Sequence, residues 1–321
     1  MWDALTHGKE DADEVLVEFE DGTEIRANMV IGCDGIHSAV RAQFASDNAE
    51  YSGRIAYRGL VPISAIKDWW GIETYSVTWL GKNRHFLCFP ISQNKTLNIV
   101  AFVAEKEENL GDLKENWTAS GKKEEVVEAF KGFEEKVQKV IQLMEDKPSK
   151  WLINDRKPLD QWLYMSGKVV LLGDAAHAMT PHQVGRPYNF RELTMLTIYQ
   201  GAGAGQAIED GYILARALGD YLGSSSADSD ALEKWISVYQ DVRLPRAQRV
   251  QRTSREAVEV YQAQADIMKD LSFDECVPEI HKRVVDRMKW VWTDDLDAEY
   301  DEAVKGYKSK KAAIIADGQA V

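Results

Sequence analysis

Two carboxylates in this chain stand where a short apolar run meets a glycine. Asp174 follows Gly173 in residues 173–183 (GDAAHAMTPHQ), and Asp34 precedes Gly35 in residues 30–41 (VIGCDGIHSAVR). A carboxylate at the C-terminal end of a buried strand faces the crevice in which α/β folds bind ligands, where it can accept hydrogen bonds from sugar-like hydroxyls. Asp34-Gly35 taken alone also reads as a common turn. Gly201, Gly203 and Gly205 open a helix-forming stretch. A helix tip built from them can approach a ligand closely and present free N–H groups and a positive dipole end. His177 and His182 invite acid–base or metal chemistry, yet a spacing of five puts them on no common helix face. No carboxylate–cysteine set accompanies them, so loop packing and hydrogen bonding are expected rather than a metal. Tyr57 and Arg58 are candidates for a substrate carboxylate, which a guanidinium grips in bidentate fashion. His85, near Trp79, Phe86 and Phe89, is open to core packing or to substrate contact.

The elements that must position these residues follow from period and punctuation. Residues 15–20 alternate, Asp21-Gly22 is a hairpin turn signal, and residues 23–27 offer the returning strand. Residues 29–31 read as a short buried strand, with a helix starting near Ser38 as its N-cap. Residues 51–102 are rich in aromatic and β-branched types and predict an antiparallel sheet with one face covered. Apolar spacings of three and four predict one amphipathic helix over 125–144. Residues 168–172 are a continuous apolar run that suits a central strand, and residues 206–222 suit a helix. From Ser229 the chain is helical in character, interrupted near Pro245 and ending in a polar tail from Lys308.

Composition bounds the function. A chain of 321 residues with 45% hydrophobic and 28% charged content is a folded globule of one large or two modest domains. Its formal net charge of −13 argues against nucleic acid or an anionic membrane surface as partner. Cys33, Cys88 and Cys276 are too few and scattered for a disulfide framework and read as reduced thiols. No stretch reaches the ~20 apolar residues of a transmembrane segment, and the polar start is unlike a signal peptide, so the cytoplasm is expected.

Joined across the segment between them, GDAAHAMTPHQ and GAGAGQAIED resemble the second flavin fingerprint of FAD-dependent aromatic hydroxylases of the single-component, salicylate hydroxylase type. VIGCDGIHSAVR is similar to the same family's Asp-Gly motif. Trp151-Leu152, residues 155–159 (DRKPL), Trp162 and residues 243–247 (RLPRA) add matches in family order. The resemblance implies an α/β (α+β) fold: a partial Rossmann-like FAD-binding domain, an antiparallel-sheet substrate domain and C-terminal helices. The expected parts are residues 1–45 and 161–225 for the FAD-binding domain, 46–160 for the substrate sheet with its amphipathic helix, and 226–321 for the helical region.

By this resemblance Gly173 and Asp174 meet the ribityl chain of FAD, and Pro181 shapes the flavin loop. Gly201, Ala202 and Gly203 hold the pyrimidine edge of the isoalloxazine. Asp34, Gly35 and Arg41 support the cofactor and the nicotinamide encounter. The implied chemistry is reduction of FAD by NADH or NADPH, followed by transfer of an oxygen atom from O2 to the ring of an aromatic acid or phenol under the sheet. The resemblance leaves oligomeric state open.

Two departures accompany it. The family's opening strand, GxGxxG turn and helix are not in this sequence, and Gly201–Gly205 follows the wrong element to replace them. Weak or absent FAD binding by this polypeptide is therefore expected, with a non-catalytic protein binding an aromatic ligand or a partner chain as the alternative. The second departure is Val184–Gln200, which interrupts the fingerprint. A valine codon opens with GT, glutamine can be CAG, and Met195-Leu196-Thr197 can contain CTAAC, so a retained intron is expected there. Excision would join Gln183 to Gly201.

Overall fold

The computed structural model describes residues 14–111, 118–182, 202–223, 231–287 and 289–318. Gly201 and the segment Val184–Gln200 lie outside the described residues. The described residues open with the expected hairpin, β1 (Val15–Glu18) paired with β2 (Glu24–Ala27), whose turn holds Gly22 at φ 80°. β3 (Val30–Gly32) follows, then α1 (Ala39–Ala42), capped by the Ser38 hydroxyl, which accepts the Arg41 N–H at 2.8 Å.

The next strands are β4 (Glu50–Pro62), β5 (Val77–Gly81), β6 (Arg84–Ile91) and β7 (Thr96–Ala104). With β8 (Thr118–Ser120) and β9 (Ser149–Asp155) they form a six-stranded antiparallel sheet in the order β5-β6-β7-β4-β9-β8. Strand alternation divides its side chains between two faces. On one face Tyr57, Trp79, Phe86 and Ile99 pack against Val126, Phe130, Val137 and Ile141. These last residues belong to two helices, α2 (Lys123–Ala129) and α3 (Glu135–Gln142). The single helix expected over 125–144 is thus corrected: Gly132, at φ 85°, breaks it. The apolar spacing survives the break because both pieces cover the same sheet face. Tyr57 Oη donates to Glu125 at 2.8 Å and Trp79 Nε1 to Glu134 at 2.6 Å, fastening the pair. Cys88 lies in this core, where burial pushes its thiol up to about 12.

A smaller sheet, β10 (Leu163–Tyr164), β11 (Val169–Leu171) and β3, carries the motifs. β11 runs parallel to β3, with Val169 beside Val30 and Leu171 beside Gly32. The short α4 (Asp174–His177) follows β11, and α5 (Ala202–Gly223) and α6 (Ala231–Tyr261) pack behind it around Trp162, Leu171, Ile213 and Tyr239. The interruption expected near Pro245 is a second correction: α6 runs through it. Proline removes one helix hydrogen bond, while Arg243 and Arg246 on either side anchor the helix through Glu209. The chain ends with α7 (Phe273–Arg287), α8 (Lys289–Thr293) and α9 (Leu296–Gly318), so residues 308–318 are helical rather than a tail. Among the described residues no helix is long and apolar enough to cross a membrane.

Candidate functional site

β3 and β11 are adjacent and parallel, so the turns after them leave the same end of the sheet side by side. The sequence offers each turn what it needs. A Cβ on Gly32 would lie 2.8 Å from Val40 Cγ1 and 2.9 Å from Leu171 Cδ2, so only glycine lets α1 and β11 close on β3 there. Gly173 sits at φ 62°, ψ −140°, a region that is essentially glycine's alone.

Asp174 begins α4, is exposed, and accepts no hydrogen bond among the described residues. Beside it stands the first turn of α5, with N–H groups that have no acceptor within the helix. A Cβ on Gly203 would come within 3.9 Å of Asp174 Oδ1 and 3.8 Å of Met179 Cγ; one on Gly205 would meet nothing. A free carboxylate therefore faces bare, donor-bearing backbone across a gap that any side chain at 203 would begin to fill. Ala202 flanks it, half-buried.

Asp34 and Gly35 form the neighbouring turn. Asp34 Oδ1 accepts from Ser38 Oγ at 2.6 Å and Oδ2 from Val40 N at 3.2 Å, while Gly35 adopts φ 84°. Arg41 welds the two turns together. Its side chain has no exposed surface, and its five donors all find protein acceptors. Nε and one terminal nitrogen grip Asp47 at 2.9 and 2.7 Å; the rest reach the carbonyls of Ala175, Ala176 and Lys157 at 3.0–3.1 Å. Direct contact of Arg41 with a ligand is thus ruled out by its own bonding; what it sets is the position of α4. Arg156 adds Nε to Ile36 O at 2.6 Å and a bond to Asp47 O at 2.7 Å. Burial by itself raises the Asp47 carboxyl, but Arg41 and Arg156 outweigh it and hold it below the usual range.

From α4 the chain crosses to the second face of the large sheet, where Ala56, Leu87, Val100 and Phe102 cluster. Pro181 is half-buried on this path. His182 is buried with its ring centroid 4.7 Å from Phe102 and 5.4 Å from His85. His85 stacks on Phe102 at 4.6 Å and meets Gln262 Nε2 through Nδ1 at 3.2 Å. Burial, then the charge of Arg54, lowers its pKa to about 3, so it is neutral. Burial likewise drives His182 well below the ordinary value. The pairing of Tyr57 with Arg58 on one carboxylate is corrected, because consecutive strand residues point to opposite faces. Tyr57 is buried against α2, while Arg58 is exposed on the second face, 5.5 Å over the Trp151 ring and with no carboxylate partner among the described residues.

Sequence reasoning gave no site role to Asp47 and Gln251, nor to Asp210 and Arg243, although the last two fall inside the GAGAGQAIED and RLPRA matches. Asp210 holds His177 Nε2 at 2.6 Å, and Gln251 Nε2 bonds the carbonyls of Arg156 and Ala178 at 2.7 and 2.9 Å. A signal existed for Asp210: it falls on the same helical stripe as Gln206, Ile213, Leu214 and Ala217, all buried.

The family description "FAD binding domain" matches residues 3–185, more than half of the chain. Salicylate hydroxylase of Pseudomonas putida is 34% identical over 313 residues, covering 93% of this chain and 65% of that protein. The 6-methylsalicylate 1-monooxygenase of Aspergillus terreus is 34% identical over 292 residues, 89% of this chain and 58% of that protein. A solved salicylate hydroxylase substrate complex has a TM-score of 0.73 at 31% identity, over 92% of this chain and 68% of the other. The chain thus spans 65% or less of these two curated relatives. Since the matches run across both paired turns and the sheet opposite them, the chain belongs to the FAD-dependent aromatic-ring monooxygenases, the salicylate hydroxylase-like flavoproteins.

Proposed function

We propose that the chain serves an NAD(P)H- and O2-dependent hydroxylation of a small aromatic acid or phenol. The observation that carries this reading is the unpartnered Asp174 carboxylate facing the glycine-lined tip of α5. This arrangement fits the flavin half of FAD. Asp174 would accept hydrogen bonds from the ribityl hydroxyls, and the Ala202 and Gly203 backbone would meet the electron-rich pyrimidine edge. Gly173, Pro181, Asp34, Gly35 and Arg41 would hold those parts in place. Bound FAD would supply the redox chemistry and activate oxygen; the chain's share is orientation and exclusion of water. The second sheet face, reached through His182, would roof the substrate, with Arg58 free to meet a carboxylate. The names of the relatives, salicylate and 6-methylsalicylate enzymes, support an aromatic acid.

Fluorescence titration with FAD tests the cofactor site. Asp174→Ala is expected to weaken binding about 10- to 100-fold, the worth of hydrogen bonds to a charged group. The ligand-free melting temperature should stay unchanged, because the side chain is exposed and unpaired. Equal affinity in the variant would defeat the assignment. Salicylate-stimulated NAD(P)H oxidation with a hydroxylated product tests the reaction. We further propose that Val184–Gln200 is foreign to the fingerprint; support comes from the family match, which ends at residue 185, close behind Gln183. Mature transcripts that all retain the segment would remove that reading.

A further inference from the structure

Behind Asp174 lies a line of wholly buried polar groups. Asp210 has no exposed surface, and its Oδ2 accepts two hydrogen bonds, from the Gly173 backbone N–H at 3.0 Å and from His177 Nε2 at 2.6 Å. One oxygen thus holds the residue before α4 and the last residue of α4, with Asp174 between them. Oδ1 accepts from Arg243 Nε at 2.8 Å, and Arg243 also donates to Gln206 Oε1 at 2.8 Å. Burial by itself raises the Asp210 carboxyl, but the bond and charge of His177, the charge of Arg243 and the Gly173 amide outweigh it and keep it ionised. Facing a carboxylate with only lone pairs to offer, His177 Nε2 must carry the proton.

On the other side of the ring the buried Nδ1 has no partner among the described residues. The buried Trp162 Nε1–H is a donor with no acceptor. The two rings pack at a 45° tilt, centroids 5.2 Å apart, with no hydrogen bond between the two nitrogens.

We propose that His177 and Asp210 form a positioning relay, in which the imidazole Nε2–H and the Gly173 N–H share one carboxylate oxygen while the Trp162 ring packs on the imidazole, that locks the turn at Gly173 and sets where Asp174 meets the ribityl chain. The consequence for the cofactor rests on the reading of Asp174 given above. Gly173 occupies a sparsely populated backbone region that persists only while its surroundings hold it. The relay supplies that hold from the buried side of the turn. Its side chains have no exposed surface, so they are positioning residues acting through Asp174.

Two measurements on the full chain test this. Nitrogen-15 NMR of the histidine rings, without flavin, should show His177 with a hydrogen-bonded proton on Nε2, and Asp210→Asn should shift that Nε2 signal. A ring protonated on Nδ1 alone, or an Nε2 signal indifferent to Asp210→Asn, overturns the relay. FAD titration of His177→Phe should give a dissociation constant raised about tenfold, and the double variant with Asp174→Ala should bind no more weakly than Asp174→Ala alone. Loss of packing unconnected with Asp174 would instead add to the Asp174→Ala effect, and additivity overturns the proposal. If His177→Phe does not fold, Asp210→Asn carries the same cycle. Wild-type-like FAD affinity in the variants defeats the relay's role alone, whereas a wild-type chain that takes up no FAD defeats the cofactor reading and the role with it.

Discussion

Acidifying the protein from pH 6.5 to 4.5 is expected to remove about 2.5 kcal/mol of folding stability through His85 alone, with His182 adding to the loss, and His85→Phe to restore the His85 share. The cause is the pair of neutral, buried imidazoles on the second face of the large sheet. Burial and then Arg54 lower His85 to about 3; burial, His85 and Arg54 lower His182 as well. In the unfolded chain both return to the ordinary value near 6.5. Above that value neither state binds these protons, and stability is independent of them. Between the two values the unfolded chain binds more protons, so stability falls as pH falls, by about 1.4 kcal/mol per pH unit for each histidine. The loss starts near pH 6.5 and continues downward through the folded values. Acid groups such as Asp47 and Asp210, whose folded values are lowered, contribute only in the more acidic carboxylate range, so the windows separate. Phenylalanine at 85 keeps the stacking on Phe102 and gives up one bond to Gln262, at a cost of about 1 kcal/mol. Urea midpoints at pH 7, 6 and 5 measure the effect; a wild-type midpoint that does not move would refute it.

Arg41→Met is expected to cost about 3–5 kcal/mol, the range for breaking a buried ion pair from one side. Methionine fills most of the volume but leaves the carbonyls of Ala175, Ala176 and Lys157 without donors. Asp47 survives better, since Arg156 still reaches it at 3.1 Å. Arg41→Lys should be nearly as damaging. One ammonium has three donors at a single point and cannot span a bidentate carboxylate and three carbonyls. Denaturation curves for both variants check this, and a lysine variant as stable as the wild type would show that the weld between the turns does not depend on the guanidinium fork.

The elements that were legible in the sequence are those decided within a few residues. The hairpin at Asp21-Gly22, the Ser38 cap, the strand before Gly173 and the helix expected over residues 206–222 each depend on turn chemistry or on one apolar run. What misled was mostly a question of neighbours. Trp79, Phe86, His85 and Phe89 read as one aromatic group, yet alternation sends the first two toward α2 and α3 and the other two to the opposite face. β8 and β9 were not foreseen, because Thr118–Ser120 and Ser149–Asp155 become strands by adding to the edge that β4 offers. Pro245 marks a break in a lone helix but not in one held on both sides by arginines paired with Glu209.

Taken alone, the sequence determined the family, the two glycine-framed turns and the carboxylate each carries, since these are local patterns whose backbone demands few other residues meet. Only the tertiary structure decided that Arg41 serves the protein rather than a ligand, that Tyr57 and Arg58 face apart, and that Asp210 stands behind Asp174. Hydrogen bonds between residues more than 30 positions apart leave no spacing in a sequence. They exist once parallel pairing of β3 and β11 brings two distant turns to one edge, and burial then forces every polar group there to find a partner.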